Sequence, residues 1–299
     1  MRFGKFFFVF IGHKRVYLFE VVFHLQERAQ CMSARRINAQ GFCIGSRVTR
    51  KAFFLPNLLP PLILAAQEAG TVIMGFYRAG TEVTRKEDAS PVTEADRAAD
   101  RHIVAALHAL TPDWPVVSEE GDKPDVTGAD YFWLVDPLDG TKSFVRGEGY
   151  FTVNIGLIHL GHPVLGVIYD PAGGTLYAGS EEGAFRMQAG GVAQPIRARG
   201  VTPPRTALIS HSHINRATED YLTAQGITER IPCASSIKFC WLAEGRADIY
   251  PRFGATMEWD TAAGHAILLS AGGRMTTAEG MPFVYGKSGF LNGNFIAVG

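Results

Sequence analysis

With 299 residues the chain has room for about two domains, each large enough to bury a core. Its hydrophobic content of 46% and charged content of 19% are those of a soluble globular protein. A formal net charge of zero gives no whole-protein case for a nucleic-acid polymer or an acidic surface as partner. The charge is unevenly spread: Lys and Arg crowd the first fifty-odd positions against only Glu20 and Glu27, so the remainder is acidic.

The four cysteines, Cys31, Cys43, Cys233 and Cys240, form no C-x-x-C pair and show no zinc-type spacing. They read as reduced thiols of a cytosolic protein, small buried hydrophobes rather than nucleophiles. The start of the chain carries two short apolar runs, 6–11 and 16–25, both below the ~18 residues of a membrane span. This basic, acid-poor start is similar to a signal or transit peptide but lacks a small-residue cleavage pattern. The reading adopted is a basic extension over 1–55 outside the fold, arising from an upstream start codon. An α+β domain over 56–200 and an α/β domain over 201–299 follow.

Leu58, Leu62, Ala66, Ala69, Ile73 and Phe76 recur at helical spacing and predict a helix over 57–80. No membrane anchor is visible from there onward. Residues 81–86 alternate like a strand. Ser90-Pro91-Val92-Thr93-Glu94-Ala95-Asp96 opens a second helix, with Thr93 as N-cap and Asp96 placed for a capping box. On its own, Asp96 need do no more than that. A short strand over 116–118 ends in Glu119-Glu120-Gly121. Strands over 151–159, 163–169, 175–178 and 184–187 follow, and two helices before consecutive strands predict an α+β class with a mainly antiparallel sheet. Residues 194–204 read as a boundary. Beyond them strands at 207–210, near 231 and at 247–250 alternate with helices at 215–225 and 237–244. Trp259-Asp260-Thr261 begins a last helix through 269, before a strand at 274–276.

The apolar run 131–135 reads as a buried strand that stops at Asp136-Pro137-Leu138-Asp139-Gly140-Thr141. Pro137 biases Asp136 toward extended geometry, and Gly140 permits a backbone conformation that a Cβ would resist. Such a turn can aim Asp136, Asp139 and the Leu138 carbonyl at one point, as hard oxygen ligands of the kind Mg²⁺ takes. Taken alone, D-P-x-D-G reads more simply as a solvated Asx-type turn. The metal reading therefore depends on Glu119 and Asp260, each at a strand end or helix start where ligands gather in layered folds.

The motifs starting at Ser90 and at Asp136, Ser118-Glu119-Glu120, and Trp259-Asp260-Thr261-Ala262-Ala263-Gly264 together resemble the signature set of the inositol monophosphatase superfamily, over roughly residues 57–299. Within it the chain is similar to the bacterial 3′(2′),5′-bisphosphate nucleotidase type, through Ser235-Ser236-Ile237-Lys238-Phe239-Cys240 and the stretch from Ala243 to Arg252. The resemblance implies a layered α/β/α/β/α sandwich of the inositol monophosphatase and fructose-1,6-bisphosphatase type. It implies two or three Mg²⁺ ions, a first on Glu119, Asp136 and the Leu138 carbonyl and a second on Asp136, Asp139 and Asp260. It also implies an activating Asp96–Thr141 pair which, with Glu119, orients an attacking water, so that no covalent phosphoenzyme forms. Substrate contacts fall on Glu119, Leu138, Asp139, Gly140, Thr141, Ser236, Lys238, Arg252 and Asp260. Inositol-specific members tend to carry a carboxylate near Arg252; a guanidinium suits a second phosphate, though a surface salt bridge would use it equally well.

The activity so implied is hydrolysis of the 3′-phosphate of 3′-phosphoadenosine 5′-phosphate to AMP and phosphate, with inhibition by Li⁺. An inositol-phosphate or fructose-bisphosphate phosphatase is the alternative on the same site. The expected partner is a small nucleotide bisphosphate rather than a polymer. The protein is expected to be a cytoplasmic monomer or homodimer, with peripheral contact on the cytoplasmic side of the inner membrane left open. A non-catalytic phosphate-binding scaffold would have no use for so many crowded carboxylates. A haloacid-type phosphoaspartyl enzyme would want Asp-x-Asp after its first strand, where this chain has Asp-x-x-Asp in mid-sequence.

Overall fold

The computed structural model describes residues 6–12, 15–21, 48–79, 83–85, 91–200, 203–211 and 214–299. The chain divides into two compact units, Met1–Ser46 and Arg47–Gly299. In the first, β1 (Phe6–Gly12) and β2 (Arg15–Val21) pair antiparallel, from Phe6 opposite Val21 to Gly12 opposite Arg15. Cys31 and Cys43 lie outside the described residues.

The second unit opens with α1 (Val48–Ala79), which starts well ahead of the predicted position. Pro56 offers no N–H to the carbonyl one turn back, and the helical pattern is legible only from Asn57 onward. Contrary to the expectation of no anchor-like segment, Asn57–Arg78 has the length and apolar composition of a membrane span. Its Leu58, Leu62, Ala66, Ala69 and Ile73 are nevertheless buried in a protein core. A small hairpin of β3 (Val83–Arg85) and β4 (Pro91–Thr93) leads into α2 (Glu94–Leu110). The expected capping box is present, Thr93 and Asp96 each satisfying the other's backbone N–H.

Helices α1 and α2 cover one face of a seven-stranded sheet. Its strands are β5 (Val116–Ser118), β6 (Tyr131–Asp139) and, after a short α3 (Thr141–Arg146), β7 (Thr152–His159) and β8 (His162–Asp170). Three more complete it: β9 (Thr175–Ser180), β10 (Gly183–Gln188) and β11 (Gln194–Ile196). They lie in sequence order and pair antiparallel throughout, except for the parallel pair β5–β6. Strand β11 falls inside the stretch expected to be a boundary: backbone pairing with β10 recruits it despite its polar sequence.

A second, five-stranded sheet runs in the order β13–β12–β14–β18–β16. It is built from β12 (Thr206–Ser210), α4 (Arg216–Ala224), β13 (Glu229–Cys233), α5 (Ile237–Ala243), β14 (Ile249–Arg252) and β15 (Thr256–Met257). The chain ends with α6 (Glu258–Ser270), β16 (Arg274–Thr277), β17 (Leu291–Asn292) and β18 (Phe295–Val298). Helices α5 and α6 lie between the sheets, and α4 packs its Leu222 on the outer face of the second. The layers therefore read α/β/α/β/α, as expected.

Helix α6 comes unusually close to the first sheet. Gly156, Gly166 and Gly179 sit side by side on β7, β8 and β9. A Cβ on Gly166 would fall 2.2 Å from the Ala263 carbonyl oxygen, and one on Gly179 would fall 2.6 Å from Ile267 Cα. The row of missing side chains lets α6 lie almost on the sheet backbone. That packing fixes how the start of α6, with Asp260, meets the end of β6.

Candidate active site

Strand β6 does not stop at Val135, as its sequence suggested. It continues through a bulge in which Asp136 pairs with Asn154 and Asp139 with Thr152, the register shifting between them. Pro137 sits where a ladder hydrogen bond is already lost, and the bulge turns side chains that would alternate toward a common side. The Leu138 N–H donates to Asp136 Oδ1 at 3.0 Å, so the Asx-type bond of the simpler reading is present inside the site. Gly140 has φ of 92°, and a Cβ there would fall 2.6 Å from the Tyr150 carbonyl oxygen. Glycine thus lets the chain leave β6 directly into α3.

Three strand or helix ends converge here. Glu119 follows β5, Asp136 lies in β6 and Asp260 lies in the first turn of α6, and each offers an oxygen within 4.8 Å of the others. Asp260 Oδ2 accepts from the Met257 N–H at 2.7 Å, which holds the carboxylate at the helix start. Asp139 is not part of that triple. Its Oδ2 accepts from the Ser236 N–H, and it lines a neighbouring cleft.

Burial pushes the Asp136 carboxyl well above the usual range, and Glu119, Asp139, Asp260 and Asp96, all acids, push it further. Burial does the same to Asp260, with Asp139 the next cause. Asp139 is raised by burial and partly restored by Lys238. Crowded carboxylates, in which the charged groups that act most on Asp136 are acids, are a donor set that divalent ions neutralise.

The predicted activating pair is also brought together. Thr141 Oγ1 lies 3.2 Å from Asp96 Oδ1 and 3.1 Å from the Leu138 carbonyl oxygen. Asp96 Oδ2 takes the Thr93 N–H at 2.7 Å and its hydroxyl at 2.6 Å. The same carboxylate therefore caps α2 and faces Thr141, so its capping role leaves one oxygen turned toward the acid cluster's neighbour. Burial raises its proton affinity against these hydrogen bonds.

Beside the acids is a cleft of about 280 Å³ lined by Asp139, Ser236, Lys238, Tyr250, Arg252 and Asp260. Lys238 is buried, its ammonium donating to the Cys233 and Ser235 carbonyls and standing 5.3 Å from the Tyr250 ring. Arg252 donates to the Ala255 carbonyl through Nη2 at 3.2 Å, and its buried Nε has no hydrogen-bond partner among the described residues. The Ser236 hydroxyl is engaged by Asn154 and Thr152. Sequence reading missed those two, and also Asp100, which accepts from Ser118 next to Glu119. For Thr152 and Asn154 the available signal was polar residues inside an otherwise apolar, almost wholly buried strand; Asp100, on α2, carried none. Cys233 and Cys240 are buried free thiols, Cys233 pushed up to about 11 by burial, and neither is poised as a nucleophile.

The inositol monophosphatase family profile matches residues 57–297. The 3′(2′),5′-bisphosphate nucleotidase CysQ of Escherichia coli (strain K12) is 44% identical over 245 residues, spanning 80% of this chain and 98% of that protein. The CysQ of Buchnera aphidicola is 40% identical, over 81% and 93%. Among solved structures, CysQ from Bacteroides thetaiotaomicron superposes with a TM-score of 0.72 at 38% identity, over 83% of this chain and 98% of that one. Inositol monophosphatase from Anabaena gives 0.66 at 27%, over 82% and 91%. With both the sequence and the layered framework shared over most of its length, this chain belongs to the inositol monophosphatase family.

Proposed function

We propose that this protein is a Mg²⁺-dependent phosphomonoesterase that hydrolyses 3′-phosphoadenosine 5′-phosphate to AMP and phosphate. The observation that carries the reading is the juxtaposition of a partly buried acid cluster with a cleft lined by two basic side chains, Lys238 and Arg252. A substrate with one phosphate to cleave and a second to grip matches both. The similarity to bisphosphate nucleotidases supports the same choice. Residues 56–200 supply most metal ligands, and residues 201–299 supply Asp260 and, with Asp139, the lining of the cleft.

Glu119, Asp136, the Leu138 carbonyl, Asp139 and Asp260 would hold two or three ions. When bound, divalent cations acidify a water and stabilise negative charge on the leaving oxygen. The chain's own residues do the rest. A hydroxyl has one hydrogen, so Thr141 donates to either Asp96 or the Leu138 carbonyl and keeps lone pairs to accept from a water. Its proximity to Asp96 Oδ1 gives the departing proton a short path to a carboxylate of raised proton affinity. Arg252 and Lys238 orient the second phosphate, so the scissile ester points at the acids. The reading also entails inhibition by Li⁺ and action on a soluble nucleotide in the cytoplasm.

Phosphate release from 3′-phosphoadenosine 5′-phosphate, inositol 1-phosphate and fructose 1,6-bisphosphate, measured across a Mg²⁺ titration with and without Li⁺, tests this. We expect kcat/KM for the nucleotide to lead that for inositol 1-phosphate by about tenfold or more, corresponding to ~1.5–3 kcal/mol from charged hydrogen bonds to the second phosphate, and to exceed that for fructose 1,6-bisphosphate, which also carries a second phosphate, by a smaller margin. A lead for either sugar phosphate would overturn the substrate assignment.

A further inference from the structure

The first turn of α6 is held by a strap that arrives from later in the chain, residues 286–292. Glu258 and Asp260 stand about 200° apart around the helix axis, so Glu258 lies on the side away from the acid cluster. Its carboxylate is wholly buried but well paired. The Gly286 N–H donates to Oε2 at 2.8 Å, and the Lys287 N–H and ammonium reach Oε1 at 3.0 and 2.6 Å. Further along the strap, the Asn292 amide nitrogen lies 2.7 Å from the Met257 carbonyl oxygen, 3.1 Å from Thr261 Oγ1 and 3.2 Å from Thr256 Oγ1. Two hydrogens serve these three oxygens, and the shortest contact is to Met257. Between the two pins, Gly289 and Phe290 take φ of 71° and 55°, and the Phe290 ring packs 6.2 Å from that of Trp259. A left-handed backbone is uncommon for a residue with a bulky side chain.

Met257 is also the residue to which Asp260 is tied, its N–H donating to Asp260 Oδ2 at 2.7 Å. Asn292 thus grips the residue that orients the Asp260 carboxylate. In doing so it leaves its own Oδ1 buried, with no partner among the described residues. Turning the amide over would set that oxygen against the Met257 carbonyl, so the contact with Met257 dictates the orientation. Buried polar atoms are seldom left unpaired where packing alone is at stake. A leucine of similar size would hold β17 in the core without that cost. What asparagine adds is a fixed place for Met257.

We propose that Asn292 and Glu258 are positioning residues for Asp260: they pin residues 257 and 258 to the strap and so set where the Asp260 carboxylate stands in the acid cluster. The proposal rests on reading Asp260 as a metal ligand. Hydrogen bonds that orient a ligating carboxylate typically carry about 10–100-fold in metal affinity. Asn292 acts one bond further out, through Met257, so the lower end of that range is expected.

The test compares wild-type protein with Asn292→Leu, with Glu258→Gln, and with Leu222→Ala, a cavity on α4 in the outer core that serves as the purely structural control. Mg²⁺ affinity is read by calorimetry, and Tm by thermal unfolding in chelator. Asn292→Leu is expected to bind Mg²⁺ about tenfold more weakly, with Tm within about 3 °C of wild type, because the Met257 carbonyl keeps the intrahelical bond that an N-cap carbonyl accepts. Glu258→Gln is expected to lose affinity too, with a lower Tm because a buried ion pair is broken. Leu222→Ala should lower Tm by several degrees and leave Mg²⁺ affinity within about twofold of wild type. Mg²⁺ affinity within about twofold of wild type in Asn292→Leu, whatever its Tm, overturns the proposal. So does a loss of affinity in Leu222→Ala as large as that in Asn292→Leu. If Asn292→Leu does not fold, Glu258→Gln decides on the same two criteria. A wild-type protein that shows no Mg²⁺ binding would overturn the metal reading itself, an outcome distinct from these.

Discussion

Asp136→Asn is expected to reduce kcat/KM by about three orders of magnitude or more while leaving the protein folded. Asp136 is the acid common to both implied ions and gets little relief: it is buried, and the charged neighbours that act most on it are acids. Losing several kcal/mol of transition-state charge stabilisation gives a thousandfold drop for about 4 kcal/mol. The fold should tolerate the change because an amide fills the same space and removes a charge that the metal-free core destabilises. The Leu138 N–H, now bound to Asp136 Oδ1, still finds an oxygen there. Steady-state kinetics with circular dichroism check both halves. Near wild-type turnover would remove Asp136 from the chemistry.

Gly166→Ala is the largest expected effect on stability. Its Cβ would lie 2.2 Å from the Ala263 carbonyl oxygen and 2.9 Å from its carbonyl carbon. These are backbone atoms of α6 and cannot step aside as a side chain would, so the helix must lift from the sheet. Overpacking of this kind costs about 3 kcal/mol, a large share of the ~5–15 kcal/mol that holds a typical domain together. A Tm lower by about 10 °C is expected in thermal unfolding. Activity should fall as well, because α6 carries Asp260. An unchanged Tm would mean that helix and sheet are not in the contact described.

These two residues also show what could be read from the chain alone. Glu119, Asp139, Asp96 and Asp260 could be singled out because each stands at or within a turn of an element end in a spaced motif, and Asp136 because an acid and a proline interrupt an apolar strand. The role of Gly166 was not, since it arises only when three strands align in register beneath a helix from elsewhere in the sequence. Strand β18 was missed for a related reason. Phe295–Val298 is a short run at the chain end, and only pairing with β14 on one side and β16 on the other makes it central. The β6 bulge was read as a stop, because a proline and a glycine after an acid look the same locally whether the strand ends or resumes. Ser236 could be placed near the substrate from its motif, but the commitment of its hydroxyl to Asn154 depends on the opposing strand.

The claim beneath all of this is that the carboxylates around Asp136 share a pocket whose charge divalent cations cancel. Asp136, Asp139 and Asp260 have raised proton affinity in the metal-free fold. A carboxyl raised above its unfolded value binds more protons folded than unfolded. The stability it contributes is full below the unfolded value, near 3.8, and is lost as pH rises through the raised one. Mg²⁺ binds the deprotonated form and reverses the loss. Thermal unfolding of the chelator-treated protein from pH 5 to pH 8, with and without Mg²⁺, measures this directly. The account predicts a Tm that falls with pH in chelator, and a Mg²⁺-induced rise that grows with pH to about 5–10 °C at 100 times Kd and shrinks in Asp136→Asn. A Tm indifferent to Mg²⁺ at pH 8, in a protein that still turns over, would contradict it.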